Sequence, residues 1–277
     1  MKLSTWISVS DLISVPRTFF ERIVGIFDRK SRIFHTHPHD YIFKSLKQAG
    51  IDGLEMMIPL YTSDNDIFKI RKILNTYQMP VFSIHQSLSC RKPISYYEIE
   101  KLCKTAKYLS ASIVVLHSTA IGKKLMDNTF IQSLKVLEDK YKIKFGIENL
   151  SRTPLTNELF TCKSSDFSAV INITGLHITF DTTHLAQTGE DIIQFFISNK
   201  EKIVNIHLSD YKNHWINKYF ITQVYSHLPL EEGELPIEEF LNALQQNNYQ
   251  GIITMEINSG LSQICSSTRI IKKVFRK

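Results

Sequence analysis

The chain has 277 residues, of which 43% are hydrophobic and 22% charged, a composition that supports a large core and excludes a disordered polypeptide. No apolar run approaches the roughly 18 residues that a membrane-spanning helix needs, so we expect no membrane partner. The net charge of +6 modestly favours an anionic partner, either a phosphorylated metabolite or nucleic acid. The four cysteines form no C-x-x-C pair, which indicates neither a disulfide framework nor a cysteine zinc site and is typical of a cytoplasmic protein.

Short β-rich runs alternate with helical patterns along the chain. The amino-terminal segment MKLSTWISVSDLISV is apolar like a signal peptide, but its apolar residues alternate with Ser and Thr and Asp11 interrupts them, which favours a strand. The predicted strands cover residues 3–9, 52–58, 80–85, 112–117, 143–148, 176–181, 203–208 and 252–257. Clear helical patterns cover residues 96–109, 191–199 and 236–247, and the basic tail 269–277 predicts a final helix with a solvated basic face.

Eight strands that alternate with helices indicate parallel βα units. For a chain of this length, a single closed (β/α)₈ barrel over residues 1–277 is the leading topology. Two long connections, residues 10–39 and 209–235, would leave the carboxyl-terminal face of the barrel, where substrate loops lie. The first contains three alternating histidines, which could bind a metal but are more typical of a flexible exposed loop: His35, His37 and His39.

Ionisable side chains close six successive predicted strands. They are His85, His117, Glu148, Asp181, His207 and Glu256. Each position alone is more often a structural hydrogen-bonding or capping residue, but equivalent ends of parallel strands converge on one barrel mouth. Carboxylates gathered there would repel each other and lose hydration, and a bound cation is the simplest relief. The set suits Mn²⁺, Mg²⁺, Co²⁺ or Zn²⁺ without choosing among them, and His184 is expected just outside this ring.

The chain resembles the xylose isomerase-like TIM-barrel superfamily over nearly its whole length. The motifs that carry the resemblance are GIENLS around Glu148, FDTTHLAQTG from Phe180, NIHLSDY around His207, SHLPLEEGELPIEEF from Ser226, and TMEIN around Glu256. This superfamily holds sugar and sugar-phosphate isomerases and epimerases together with endonuclease IV-type apurinic endonucleases, also called AP endonuclease family 2. The resemblance therefore implies a metal-dependent enzyme in one of these two branches.

In the isomerase and epimerase branch, the resemblance implies one divalent metal held by four side chains: Glu148, Asp181, His207 and Glu256. Glu148 and Glu256 would be catalytic, moving a proton at the carbon next to a carbonyl through a metal-stabilised enediolate. His184 would contact oxygens of the substrate, a small sugar, polyol or sugar phosphate. Some ketose epimerases carry an Arg six residues after the strand-seven histidine; Asn213 stands there instead, which argues against their particular substrate mode.

In the endonuclease branch, the resemblance implies three zinc ions and nine ligands. This chain matches eight of them: His85, His117, Glu148, Asp181, His184, His207, His227 and Glu256. The ninth, an Asp two residues before the last histidine, is replaced by Tyr225, and no DNA-contacting signature follows His85, where the chain reads QSLSC. An isomerase or epimerase is therefore the leading prediction and a zinc-dependent AP endonuclease acting on DNA is the alternative. A barrel that binds a sugar without turnover is disfavoured because both glutamates remain.

Several further residues have open roles. His85, His117, His184 and His227 are candidates for additional metal or substrate binding in either branch. Glu55 lies within the second strand and could reach the mouth or make structural hydrogen bonds. Asp210 follows His207 by three residues and could orient that ligand or cap a loop. Gly233, in LEEGELP, favours a turn over a phosphate site, and the oligomeric state stays open.

Overall fold

The computed structural model describes residues 1–13, 37–59, 61–87, 94–118, 127–150, 164–214 and 225–276. In this part of the chain, eight parallel strands pair in sequence order and the first also pairs with the last, so the sheet closes into a barrel. The strands are β1 (Lys2–Ser8), β2 (Gly53–Ile58), β3 (Val81–Gln86), β4 (Ile113–His117), β5 (Lys144–Glu148), β6 (His177–Asp181), β7 (Ile203–Leu208) and β8 (Ile252–Met255). The predicted (β/α)₈ fold is confirmed, with each strand within two residues of its predicted bounds.

Helices connect the strands on the outside of the barrel. They are α1 (Val9–Leu12), α2 (His39–Ala49), α3 (Asp64–Thr76), α4 (Tyr96–Leu109), α5 (Asn128–Tyr141), α6 (Ser164–Thr174), α7 (Thr182–Ala186), α8 (Ile192–Asn199), α9 (Ile237–Gln246) and α10 (Leu261–Phe275). The helix predicted over 96–109 is confirmed residue for residue. The helices α8 and α9 begin one residue later than predicted, because Asp191 and Pro236 occupy their N-cap positions.

Serine capping boxes mark the start of three helices. The hydroxyls of Ser8, Ser63 and Ser95 each accept a backbone N–H in the first turn, while an acidic side chain three residues on accepts the N-cap N–H. This reciprocal pairing satisfies two amides that have no partner within the helix. Asp11, which interrupts the apolar pattern near the amino terminus, is the acidic member of the first box.

The long connection predicted over residues 10–39 is helical at both of its ends, and the flexible exposed loop predicted around its three histidines is wrong for His39. The short helix α1 occupies the first end, and α2 begins at His39 directly after Pro38. The fixed φ of proline suits this position at the start of a helix. His37 is exposed and packs its ring 4.8 Å from that of Tyr41, and His35 lies outside the described residues.

The final helix confirms the prediction for the basic tail and extends it towards the amino terminus. In α10, Ile264 and Ile271 are fully buried, and the helix packs against α2. Lys273 is exposed, as expected for the solvated basic face. Cys103 and Cys265 are free and buried. No helix in the described part of the chain combines the length and apolar character needed to cross a membrane.

Alternate side chains of each strand fill the barrel interior in layers. The floor, at the amino-terminal ends of the strands, is an apolar cluster of Ile113, Val115 and Ile252, with Phe82 and Val204 packed against it. Above this floor lies a polar layer of fully buried side chains: Ser4, Glu55, Ser83, Asn205 and Thr254. The ionisable residues that end the strands lie above the polar layer, at the carboxyl-terminal mouth.

Two shifts in strand pairing decide which side chains face the interior. Between β2 and β3 the register shifts just before Glu55, which then pairs with Ser83. Between β6 and β7 it shifts just before Thr179, which then pairs with Asn205. A one-residue slip moves every later side chain to the opposite face of a sheet. These shifts therefore place Ser83 and Asn205 inside the barrel, and with them the mouth histidines two residues further along each strand.

Candidate metal centre

Glu148, at the end of β5, lies at the centre of the barrel mouth and contacts several of its side chains. Its Oε2 lies 3.2 Å from His85 Nε2 and 3.2 Å from His117 Nε2. Its Oε1 lies 3.3 Å from His207 Nδ1 and 3.4 Å from His184 Nδ1. The carboxylate is only 1% exposed, so four imidazoles and no bulk water surround it. The strand ends that were predicted to converge do so, and His184 lies against the ring.

Asp181 has one oxygen fixed by the backbone and one directed into the mouth. It is the N-cap of α7, and its Oδ1 accepts a 2.6 Å hydrogen bond from the His184 N–H. Among the described residues its Oδ2 is buried without a hydrogen-bond partner, 3.6 Å from His184 Nδ1 and 3.9 Å from His207 Nδ1. The turn after β6 thus uses the carboxylate both to start a helix and to present a free oxygen.

Glu256 is the most accessible carboxylate of the centre. It follows the last residue of β8, one position beyond the strand, and its side chain is 20% exposed. Its Oε2 lies 2.7 Å from His207 Nδ1, although the ring N–H is not aligned for a hydrogen bond and this oxygen has no aligned donor in the described chain. His207 itself is fully buried.

The two histidines of β3 and β4 are oriented by neighbouring backbone. The Nδ1 of His85 donates to the Gln86 carbonyl over 2.6 Å, because a carbonyl can only accept. This leaves its Nε2 facing Glu148 as a potential ligand atom. The Gln86 side chain in turn accepts a 3.2 Å hydrogen bond from the His117 N–H. The sequence did not single out Gln86, since its contacts cross between two strands.

Asn149 holds the ends of β5 and β6 together. Its Oδ1 accepts from the Asp181 N–H over 2.7 Å, and its Nδ2 donates to the Asp181 carbonyl over 2.9 Å. Its own carbonyl accepts from His184 Nδ1 over 3.1 Å. Asn149 therefore orients two residues of the centre at once. Its position directly after Glu148, inside the GIENLS motif, was the only signal of this role in the sequence.

The pair of threonines after Asp181 joins α7 to the end of β7. The Thr182 hydroxyl lies 2.9 Å from the Ser209 carbonyl, to which it donates, and Thr183 and Ser209 share a 2.9 Å hydroxyl contact. The Ser209 hydroxyl also lies 3.3 Å from Nδ1 of His227. This connection brings His227 to 4.0 Å from Oδ2 of Asp181.

Burial and ion pairing compete in setting the charges of the centre. Burial alone would raise the pKa of Glu148, but His207 and His117 beside it hold that pKa well below its ordinary value. Burial lowers the pKa of His184, whereas Asp181 and Glu148 raise it, with a net value of about 9. The carboxylates are therefore balanced by protonated imidazoles. A cation bound by the same groups would compete with those protons.

The donor set fits a divalent cation. Glu148, Asp181, His207 and Glu256 each offer a ligand atom within 4.8 Å of the others. Two buried carboxylate oxygens, those of Asp181 and Glu256, lack aligned hydrogen-bond partners in the described chain. Oxygens of this kind are costly unless a proton or a metal satisfies them. Three further groups have ligand atoms equally close together: His85, His117 and Glu148; Asp181, His184 and His227; and Glu55, His85 and His207.

Asp210 organises a loop. Its carboxylate accepts hydrogen bonds from the N–H groups of Tyr211, Glu231, Gly233 and Leu235. A Cβ on Gly233 would overlap this carboxylate, so the glycine is required by close approach. Of the two roles predicted for Asp210, these contacts support the capping of a loop.

The two positions where the chain departs from the motifs of the family resemblance are on the same connection, residues 209–235. Asn213 is exposed, and its N–H donates to Glu234 over 3.2 Å. Tyr225 stacks on His214 with ring centroids 4.3 Å apart. The group of Asp181, His184 and His227 contains a single carboxylate, that of Asp181, among the described residues.

Comparison with curated proteins identifies relatives of similar length that are themselves uncharacterised. A protein of Mycobacterium tuberculosis is 21% identical over 244 residues, which cover 78% of this chain and 83% of that protein. A protein of Methanocaldococcus jannaschii is 24% identical over 236 residues, with 77% of this chain and 76% of that protein covered.

Comparison with solved structures identifies proteins of the same fold. A D-tagatose 3-epimerase-like protein superposes with a TM-score of 0.67 at 19% identity, covering 100% of this chain and 97% of that one. The 3-keto-D-glucoside 4-epimerase of E. coli gives 0.66 at 16% identity, covering 99% of both chains. A probable 3-DHS dehydratase of Bacillus anthracis gives 0.63 at 14% identity, covering 100% and 99%. At these identities the likeness establishes the fold.

The family assignment comes from the sequence profile. The profile described as "Xylose isomerase-like TIM barrel" matches residues 43–274, which span seven of the eight strands and all the ligand candidates described above. The closed parallel barrel agrees with this match. The chain therefore belongs to the xylose isomerase-like TIM-barrel family.

Proposed function

We propose that this protein is a divalent-metal-dependent isomerase or epimerase that acts on a small sugar, polyol or sugar phosphate. The observation that carries the proposal is the mouth geometry. Glu148 and Glu256 enter the mouth from β5 and from the residue after β8, and their ligand atoms lie within 4.8 Å of those of Asp181 and His207. The two epimerase-like structures with the same fold support the same class of reaction.

The two glutamates differ in accessibility, which suits them to different steps. Glu256 is 20% exposed, whereas Glu148 is 1% exposed and held by imidazoles. One glutamate removes the proton from the carbon next to a substrate carbonyl, and the same or the other glutamate returns it. Return to the opposite face of that carbon gives an epimer; return to the adjacent carbon gives an isomer. A bound divalent cation would supply electrostatic stabilisation of the charge that develops on the substrate oxygens.

His184 is placed to orient the substrate. Its side chain is 15% exposed, and its Nδ1 is occupied by the Asn149 carbonyl. Its Nε2 therefore remains available to hydrogen-bond a hydroxyl or carbonyl oxygen of a sugar. The backbone of α7 fixes the ring through the N–H contact with Asp181.

The proposal is tested by solvent exchange. Protein purified without chelator and supplied with Mn²⁺ or Co²⁺ is incubated in D₂O with panels of ketoses, aldoses and their phosphates. Proton transfer next to a carbonyl predicts deuterium in the substrate carbon, detected by mass spectrometry and NMR. No exchange with any member of the panel, by protein shown to contain metal, would argue against the assignment.

Glutamine substitutions identify the residues responsible. We expect Glu148→Gln and Glu256→Gln each to lower the exchange rate about 10²- to 10⁴-fold, the usual contribution of a positioned general acid or base. Glu201→Gln alters an exposed glutamate outside the centre and serves as the matched control, with an unchanged rate. Equal rates in all three variants would indicate that another group moves the proton.

A zinc-dependent AP endonuclease is the second candidate. Two of the three additional three-ligand groups, His85 with His117 and Glu148 and Asp181 with His184 and His227, favour it, because more than one metal is characteristic of phosphodiester hydrolysis by such clusters. Metal analysis of the purified protein separates the candidates, with about one equivalent expected for the isomerase and two or three zinc equivalents for the nuclease. Metal-dependent nicking of a duplex with one abasic site, absent in Glu256→Gln, would establish the nuclease instead.

A further inference from the structure

Glu55 is a buried carboxylate that the proposed reaction does not use. It lies in the polar layer directly beneath the mouth and is fully buried. Its Oε2 accepts two hydrogen bonds, from the Ser83 hydroxyl over 2.6 Å and from Asn205 Nδ2 over 2.8 Å. Both donors follow the register shifts that turn β3 and β7 towards the interior. A carboxylate with two donors on one oxygen is held in a single orientation.

The direction of these hydrogen bonds is set by a chain of hydroxyl groups that begins on β1, the strand paired with β2. The Thr254 hydroxyl donates to Oδ1 of Asn205 over 2.9 Å. The Ser4 hydroxyl lies 2.9 Å from that of Thr254 and is left as the donor in this pair, because the Thr254 proton is already used. Asn205 must therefore turn its amide nitrogen towards Glu55. The chain of donors runs from β1 through β8 and β7 and ends on the Glu55 carboxylate.

The other oxygen of Glu55 faces a candidate ligand. Its Oε1 lies 2.8 Å from Nε2 of His207. The N–H is not aligned with Oε1 in this ring orientation, and neither atom has another hydrogen-bond partner in the described chain, so Nε2 and Oε1 are available to each other. The opposite nitrogen of the ring, Nδ1, faces the carboxylates of Glu148 and Glu256. The His207 imidazole thus lies between Glu55 and the candidate metal centre.

We propose that Glu55 is a positioning residue that holds His207 with its proton on Nε2 and its Nδ1 lone pair directed at the cation. This inference rests on the proposed metal-dependent function. An imidazole that donates its second N–H to a carboxylate is fixed in one tautomer and is a more basic ligand. The polar layer beneath the mouth therefore determines which nitrogen of His207 is available to bind the cation.

The experiment measures metal affinity, not turnover. Co²⁺ or Zn²⁺ is titrated into metal-free wild type, Glu55→Gln and Ser4→Ala in competition with a chromophoric chelator. We expect Glu55→Gln to weaken binding about 10- to 100-fold, the usual effect of removing such a partner, with the number of metal equivalents unchanged. Ser4→Ala removes a buried hydrogen bond at the other end of the same layer and should change the affinity less than about threefold, because it leaves the contact of Glu55 with His207 intact.

A second measurement needs no variant to fold. Long-range ¹H–¹⁵N spectra of zinc-loaded wild type, labelled at histidine, should show His207 protonated on Nε2 and bound to zinc through Nδ1. Binding through Nε2, or Glu55→Gln affinity within threefold of wild type, would overturn the inference while leaving the proposed function in place. Loss of a whole metal equivalent in Glu55→Gln would also overturn it, by making Glu55 a ligand. Wild type that binds no metal would refute both.

Discussion

His177 shows how one residue far from the mouth can set the response to acid. It begins β6, and its Nδ1 is buried without a hydrogen-bond partner in the described chain. Burial, followed by the charges of Lys144 and Lys202, lowers its pKa to about 4. Between that value and the ordinary pKa of about 6.5, the unfolded chain binds more protons than the folded one. The free energy of unfolding therefore falls as the pH is lowered through this window.

We predict that His177→Gln reduces this acid sensitivity. Urea unfolding at pH 7 and pH 5 should show a smaller drop in stability for the variant than for wild type. His37→Gln, at an exposed histidine, is the control and should retain the wild-type drop. An identical drop in all three proteins would mean that other groups determine the acid response.

A second prediction for a single residue concerns Gly233. Its Cα lies against the Asp210 carboxylate, which a Cβ would overlap. We expect Gly233→Ala to destabilise the protein by about 1–3 kcal/mol, since the displaced carboxylate leaves backbone donors unpaired. Glu232→Ala, an exposed position in the same loop, should change stability by less than about 0.5 kcal/mol. Equal unfolding midpoints in urea for the two variants would contradict the packing argument.

The sequence could predict those residues of the centre whose position at the end of a strand is enough to bring them to the barrel mouth. Glu148 and Asp181 end strands, so the rule that parallel strand ends converge was enough to bring them together. Asn149 and Glu55 depended on partners elsewhere in the chain, and the Glu55 contact with Asn205 spans 150 positions. No local pattern contains that pairing, which is why the role of Glu55 stayed open until the barrel was closed.

At the scale of elements, the short helix α7 depends on the contacts that join it to β7. The Thr182 hydroxyl donates to the Ser209 carbonyl and accepts from the Ser209 N–H over 3.2 Å. We expect Thr182→Val to cost about 1–3 kcal/mol, because it keeps the side-chain shape and leaves these buried groups unpaired. It should also increase amide hydrogen exchange in α7.

The control for Thr182→Val is Thr76→Val. Thr76 lies at the end of α3, and its exposed hydroxyl donates to the Lys72 carbonyl. This variant should change the free energy of unfolding by less than about 0.5 kcal/mol. Similar losses for both variants in urea titrations would show that the exchange of hydroxyl for methyl, and not the connection to β7, is responsible.

The strands were predictable because each combines β-forming residues with bounds set by turns and helices. The register shifts before Glu55 and Thr179 were not, since an extra residue in one strand has meaning only relative to its neighbour. The same limit applies to Glu256, which was predicted inside β8 and lies just after it. Pairing between strands, not propensity within them, determined these details.

At the scale of the whole molecule, the centre links strands from opposite sides of the barrel, so metal binding should stabilise the entire fold. A ligand at 100 times its dissociation constant adds about 2.7 kcal/mol. For a chain of this size, this corresponds to a rise in melting temperature of about 5 °C. Calorimetry of metal-free protein with and without Mn²⁺, Co²⁺ or Zn²⁺ tests the expectation.

Glu256→Gln provides the comparison for this shift. It removes one charged ligand without altering the layers beneath the mouth, so the rise in melting temperature should be smaller at the same metal concentration. A wild-type melting temperature that responds to none of the three metals would contradict a metal centre that spans the barrel.

The apolar floor of Ile113, Val115, Ile252, Phe82 and Val204 closes the barrel beneath the polar layer. Under the proposed function, a cation and a substrate would reach the centre through the same opening, one above the other. The cation would then enter first and leave last, and a bound sugar would obstruct its exit. Substrate should therefore slow the extraction of metal by a chelator even if it leaves the intrinsic strength of the metal–protein bonds unchanged, so that a working enzyme retains its metal longest when its substrate is abundant.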